Sequence, residues 1–493
     1  MTRRIAVIGA GHHGLVAAIR LSARGHDVLV LEAAGTPGGA VRSSELTLPG
    51  FIHDTCAGFF PLTSASPVFR ELELDVDWVD PAIPMVHVLD GDGGEVALHQ
   101  ELGATVASLE ACAAGAGVAW GRLTRTLLPM RRAVIGLGLA RLGASALAVA
   151  PLALVSSAGL GRRLFGDDRA TAWLAGSGAH ADVSPYAAGS GAFSLGLTFL
   201  GHAVGWPFPR GGAARLTDAL VTRLIAHGGS LRCDAVATAI EVHRGRVTAV
   251  RLADEERIPV DAVIGTVSPG PLSEMLPPGV LPGRVQRRLE RWRYGLGTVK
   301  LDYALSSPVP WTAMTARQAG VVHVGGSLTE IAASFEQASA GRFPDAPALV
   351  VGQHSLHDRS RVPAGDAHTL YVYARVPERS GLSDDEMAQR IEARIEQFAP
   401  GFHGLALARA ARGPAAIESE NASLRGGDLA SGSCQLDQQL VFRPAPALCR
   451  GRTPLRGLYV AGAWVHPGPG VHGVSGRSAA DSLLADLRHR RLS

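Results

Sequence analysis

The residues with the clearest chemistry stand at the start of the chain. Gly9, Gly11 and Gly14 carry the Gly-x-Gly-x-x-Gly spacing. In that spacing the first glycine makes a tight turn, the second admits a pyrophosphate close to the backbone, and the third lets a helix pack on a strand. The helix that opens there offers free N–H groups and a partial positive charge to phosphate. Glu32 stands where such a unit places the carboxylate that accepts from ribose hydroxyls, about 20 residues on. Together these features predict a dinucleotide site. A carboxylate at that position repels a 2′-phosphate, which disfavours NADP and leaves NAD and FAD open. A second glycine pair, Gly38-Gly39, follows the acid and precedes Arg42.

Of 47 cationic side chains only Lys300 is a lysine, in a composition with 60 glycines that reads as codon bias toward arginine. Its compact ammonium can hold one water with rotatable donors where a planar guanidinium fits poorly. Asp302 shares its face by strand alternation and is read as an ion partner or a proton acceptor. The alternative is a surface lysine that escaped the bias. Four histidines lie in glycine-rich segments. His12 and His13 fill the variable positions of the first motif and are read without catalytic duty. His466 and His472 are candidates for catalysis, because a neutral imidazole accepts a proton near pH 7.

These residues need elements to position them. The apolar run 5–8, the glycine turn, helical spacing of Leu15, Ala18, Ile19 and Leu21, and a second apolar run at 28–31 predict a βαβ unit. Gly211-Gly212 precedes a helical pattern through Leu216, Leu220 and Leu224, and alternating strands follow to residue 267. A strand, glycine-rich turn and helix return from residue 456. Between these blocks, 76–204 is Ala/Leu-rich and mostly helical in pattern, and 301–440 mixes strands at 348–351 and 369–376 with a helix at 383–398. The simplest partition has a nucleotide-binding domain in three pieces, 1–75, 205–300 and 441–493. A second domain is then assembled from 76–204 and 301–440.

The block 457–476, Gly-Leu-Tyr-Val-Ala-Gly-Ala-Trp-Val-His-Pro-Gly-Pro-Gly-Val-His-Gly-Val-Ser-Gly, resembles the closing motif of the phytoene desaturase family within the flavin amine oxidase superfamily. Pro207-Phe208-Pro209-Arg210-Gly211-Gly212 and the helix and strands after it resemble the same family. The resemblance implies an α/β Rossmann-like FAD-binding domain with an inserted α+β substrate-binding domain, and non-covalent FAD, since the closing motif lacks cysteine. Carried over by position, Gly9, Gly11, Gly14, Glu32, Gly38, Gly39 and Arg42 hold the ADP half. Val236 contacts adenine through its backbone, and Gly462, Gly470, Val471 and Gly473 approach the flavin. Lys300 matches a strand lysine that bonds a water beside flavin N5. Loop 324–328, Gln353-His354-Ser355, Tyr371 and Tyr373 match segments lining the substrate cavity. The implied reaction is hydride removal from an apolar or conjugated substrate, with O₂ or a quinone as onward acceptor. Two departures matter. Ala40 stands where amine-oxidising relatives carry arginine, and Gly473 stands where they carry a cage aromatic, so desaturation ranks ahead of amine oxidation. A polyene isomerase and a flavin-bearing protein without turnover are the further alternatives.

Composition narrows the rest. At 493 residues, 46% apolar and 18% charged, the chain can bury several cores, and a net charge of +3 gives no footprint for nucleic acid. Five scattered cysteines, never in a CxxC pair, predict neither a disulfide framework nor a metal site. A strand starting at residue 5 leaves no room for a signal peptide, so a cytoplasmic setting is expected. Residues 142–160 carry no charge, but Pro151 breaks the run, and it is read as buried or substrate-lining helix. Peripheral membrane contact there is the alternative.

Overall fold

The structure is a computed structural model that describes residues 2–132, 135, 151 and 154–489. The opening unit forms as its periodicity predicts: strand Arg4–Ile8, helix His12–Ser22 and strand Asp27–Leu31. These join a five-stranded sheet in the order Leu458–Val460, Ala262–Gly265, Arg4–Ile8, Asp27–Leu31, Ser230–Arg232. Every pairing in it is parallel. Parallel sheets are buried on both faces, and alternation along the first strand shows how. Ile5 and Val7 point into a core shared with the helices His12–Ser22, Ala214–Ala226 and Val474–Arg488. Ala6 and Ile8 point into a core shared with a three-stranded antiparallel sheet, Ala237–His243, Arg246–Leu252 and Arg257–Pro259.

A second, seven-stranded sheet runs Ala406–Arg412, Gly297–Leu305, His368–Val376, Leu349–Gly352, Val321–Val324, Met85–Val88, Glu95–Leu98. It is antiparallel except where Val321–Val324 pairs with Met85–Val88. One face packs the helix Asp384–Phe398 through Val299, Leu301, Val372 and Ile391. The other packs helices between residues 102 and 203 through Met85, Val321, Val350, Tyr371 and Tyr373.

The division at 300/301 falls inside the strand Gly297–Leu305, whose nine residues are all buried. Segment 76–204 is not helical throughout: its four-residue runs Met-Val-His-Val and Glu-Val-Ala-Leu complete the edge of the seven-stranded sheet. Runs that short carry no period to separate strand from helix. The apolar stretch 142–160 lies largely outside the described residues. Among the described residues no helix is long and apolar enough to cross a membrane.

Candidate functional site

The glycine loop is built by close approach. A Cβ on Gly14 would stand 2.1 Å from the Gly9 carbonyl oxygen, and one on Gly9 would stand 2.4 Å from Thr266 Oγ1. A Cβ on Gly11 would meet nothing within 4 Å, so the loop leaves a cradle at that glycine. The second glycine pair folds onto the first loop, with Gly38 N–H donating to the Ala10 carbonyl at 3.0 Å. A Cβ on Gly39 would stand 3.3 Å from Gly11 Cα. Glu32 sits at the end of its strand as expected, but its carboxylate also staples the two loops. Oε2 accepts from Ala10 N–H at 2.7 Å and Oε1 from Ala34 N–H at 3.0 Å. Ala235 N–H donates to the Glu32 carbonyl at 2.8 Å, which brings Val236 beside it, 44% exposed.

The closing motif meets the same place from the other end of the chain. A Cβ on Gly476, in the first turn of Val474–Arg488, would stand 2.0 Å from the His13 carbonyl oxygen. Two helix N-termini therefore converge beside the glycine cradle, and their partial positive charges add. Gly462 is pinned to that helix by Ser475, which accepts from its N–H at 3.1 Å and donates to its carbonyl at 3.0 Å. Gly470 packs on Leu62, and the Val471 carbonyl accepts from Thr63 Oγ1 at 2.6 Å. Gly473 caps the helix at φ 70°, with Val16, Val68 and Phe69 around it.

The histidines divide by their partners. His472 Nδ1 accepts from Val474 N–H at 3.0 Å, so Nε2 carries the proton, and it lies 3.0 Å from the Gly468 carbonyl. Both nitrogens are used inside the turn, and burial lowers its pKa to about 4. With both nitrogens bonded inside the turn, His472 presents no free ring nitrogen to a ligand. His466 Nδ1 lies 2.8 Å from the Leu440 carbonyl and turns away to that loop. The His12 and His13 ring centroids lie 4.0 Å apart at a tilt of 44°, with His13 in turn 5.0 Å from His472.

Lys300 is 2% exposed, which removes the surface-lysine reading. Its ammonium donates to both oxygens of the fully buried Asp302 at 2.5 and 2.6 Å and lies 4.1 Å from the Tyr371 ring centroid. Arg412 donates to Asp302 Oδ2 at 3.2 Å and to Glu420 at 2.8 Å. Burial lowers the Lys300 pKa to about 8, with Asp302 opposing the shift. Lys300 and Arg412 line one cavity with Gly39, Ala40, Arg42 and Cys56, which joins this strand to the glycine loops. Arg42 Nε is buried there without a hydrogen-bond partner among the described residues. A glycine cradle, two converging helix ends and an unpartnered guanidinium fit a bound dinucleotide diphosphate.

Sequence reasoning missed what braces this cluster. His53 and Asp54 lie side by side on a short strand. His53 Nδ1 is 3.7 Å from Asp302, and Asp54 accepts from Arg361 at 2.9 Å and from Ala213 N–H at 2.7 Å. Burial would raise the Asp54 pKa, but Arg361 and His354 outweigh it and hold the carboxyl below its usual range. No local spacing marks these residues, since their partners come from other regions of the chain. Of the segments expected to line a cavity, Gln353 is instead a core fastener, accepting from Trp311 Nε1 at 2.9 Å and donating to the Ala316 and Ala319 carbonyls. His354 Nε2 lies 2.8 Å from the Gly58 carbonyl. In loop 324–328, the Gly326 carbonyl lies 2.8 Å from His87 Nε2 and Ser327 caps a helix. Tyr371 faces Lys300, and the Tyr373 hydroxyl lies 2.8 Å from His180 Nδ1.

The family described as flavin containing amine oxidoreductase matches residues 14–484. Hydroxyneurosporene desaturase of Cereibacter sphaeroides is 29% identical over 99% of this chain and 98% of its own length. Pyridine nucleotide-disulfide oxidoreductase domain-containing protein 2 of Rattus norvegicus is 26% identical, covering 98% of this chain and 93% of its own. Among solved structures, a wild-type putrescine oxidase bound to putrescine superposes with a TM-score of 0.61 at 16% identity, over 99% of both chains, so the two share a fold.

Proposed function

We propose, on the premise that the chain belongs to the flavin containing amine oxidoreductase family and is an FAD-dependent oxidoreductase, that it oxidises a neutral, apolar or conjugated substrate in the manner of a desaturase. FAD supplies the two-electron acceptor for a C–H bond. The observation that carries the substrate class is the charge around the cavity beside the glycine loops. Arg42, Lys300, Arg412 and Glu420 line it; Glu420 is bonded to Arg412, and Asp302, buried behind Lys300, is held by Lys300 and Arg412. A cationic amine entering there meets Lys300 and Arg412, and the carboxylates beside them, Asp302 and Glu420, are already paired. Gly473, in place of a cage aromatic, withholds the ring face that would attract an ammonium.

Within that reading each residue has a task. Gly11, the two helix N-termini and Arg42 hold the diphosphate, and Glu32 fixes the loops against each other and takes ribose hydroxyls with its remaining lone pairs. Asp302 fixes the Lys300 ammonium, leaving one N–H to orient a polar atom at the cavity wall. Tyr371 and the apolar side chains between sheet and helices exclude water. The electrons leave to O₂ or a quinone.

Anaerobic mixing of FAD-loaded protein with neurosporene or hydroxyneurosporene, in parallel with putrescine, tests the reading. Loss of visible flavin absorbance with a polyene and a product carrying one more double bond is the expected result. Flavin reduction by putrescine, with peroxide on admission of air, overturns it in favour of an amine oxidase. An isomerised polyene without net electron transfer overturns it in favour of an isomerase.

A further inference from the structure

Large apolar side chains are held in solvent at one loop. Leu436, Leu440, Val441 and Phe442 are 39%, 46%, 45% and 52% exposed. The loop is fixed from behind by Arg443, which is fully buried. Its guanidinium donates to the carbonyls of Ala463 at 2.8 Å, Ser433 at 3.0 Å, Ala430 at 2.9 Å and Gly432 at 3.1 Å. A loop with that anchor does not fold its apolar tip back into the core, so the exposure of Leu440, Val441 and Phe442 is built in.

The neighbouring element is cationic. The helix Gly283–Glu290 buries Val285 and Leu289. On its other side it carries Arg284, Arg287 and Arg288, and Arg291 follows, so the four stand at i, i+3, i+4 and i+7 on one face. Segment 283–293 holds five arginines against one acid, Glu290. Arg288 ties this face to the apolar loop, donating to the Phe442 carbonyl at 3.1 Å and the Pro444 carbonyl at 2.7 Å.

We propose that the Leu440-Val441-Phe442 tip and the Arg284, Arg287, Arg291 face form a docking surface for an anionic lipid bilayer, the tip entering the acyl boundary while the arginines meet headgroups. An apolar wedge beside a basic helix face is what an anionic bilayer surface binds. A second copy fits less well: a few side chains bury a few hundred Å² at most, against the roughly 1,200–2,000 Å² of a stable interface, and two such faces would set arginine against arginine. The docking does not depend on which substrate is oxidised.

Flotation of the FAD-loaded full chain tests it, with vesicles of phosphatidylcholine alone and of phosphatidylcholine with phosphatidylglycerol at about 3:1. The expected result is flotation with the anionic vesicles, reduced at least about tenfold by V441S/F442S and likewise by R284Q/R287Q/R291Q. All five positions are exposed, so unchanged flavin content and thermal midpoint will show that these variants are folded. Absence of flotation overturns the proposal, as does flotation of the serine variant at the wild-type level. Equal binding to neutral vesicles removes the arginines from the surface. A Phe442-dependent dimer that ignores vesicles assigns the wedge to a second copy instead.

Discussion

Lys300 and Asp302 form a buried pair whose two members are not equivalent. Asp302 has a second cation, Arg412 at 3.2 Å, whereas Lys300 has Asp302 as its ion partner within 4 Å. Removing Lys300 therefore leaves the carboxylate partly compensated, and removing the carboxylate leaves two buried cations facing each other. Breaking a buried pair costs about 3–5 kcal/mol when one charge is stranded. Asp302→Asn is expected at that level and Lys300→Met well below it, as read by urea unfolding of the FAD-loaded protein. Equal costs would mean that Arg412 does not compensate Asp302. Lys300→Met is also expected to slow flavin reduction or reoxidation while FAD stays bound, as stopped-flow of the two half-reactions would show. How much of this was legible follows from where the partners lie. Lys300 stood out as a lone lysine, and Asp302 followed from strand alternation. Arg412, His53, Asp54 and Arg361 reach the cluster across 110 to 307 residues of sequence, so only the fold brings them together. His472 differs: its partners, Val474 and Gly468, are local, but the turn that uses both its nitrogens is not visible in a residue list.

Among elements, the parallel sheet was readable because glycine spacing, helical period and an acid at the strand end all point to one unit. The seven-stranded sheet was not, since its edge strands of four residues come from a segment that is otherwise helical. The same glycine loop allows a test that separates fold from ligand. Gly14→Ala drives a methyl into the Gly9 carbonyl, so strand and first helix must part, and an overpacking cost of about 1–3 kcal/mol or more is expected. Gly11→Ala meets no protein atom and is expected to leave the apoprotein's thermal midpoint unchanged. Its methyl stands in the cradle, so FAD affinity should fall at least tenfold in a fluorescence titration. A Gly11→Ala protein that holds FAD as tightly as the parent would move the pyrophosphate away from this loop. Glu32→Ala loses both the staple between the loops and the ribose acceptor, and full flavin occupancy after extensive dialysis would remove Glu32 from the site.

Across the described residues, several histidines inside the cores are kept neutral. Burial lowers His12, His180 and His354 to about 3, and His53, His87 and His472 to about 4. They lie at the glycine loop, at the junction of the two sheets and under the helices of the seven-stranded sheet, so they report on every layer. The unfolded chain protonates these imidazoles near pH 6.5 and the folded chain does not, so the unfolded state binds more protons as pH falls. Stability contributed by the neutral form is present above pH 6.5 and is lost as pH falls from there toward 4 and 3. Each such histidine adds a slope of about 1.4 kcal/mol per pH unit once pH is well below 6.5. With several acting together, a domain-scale stability of about 5–15 kcal/mol is exhausted within one or two pH units below 6. Urea midpoints measured from pH 8 to pH 5 should be flat at the top and fall steeply below 6.5, with several protons taken up per chain unfolded. A flat profile down to pH 5 would show that these histidines bind protons in the folded state and that the layers around them open to water.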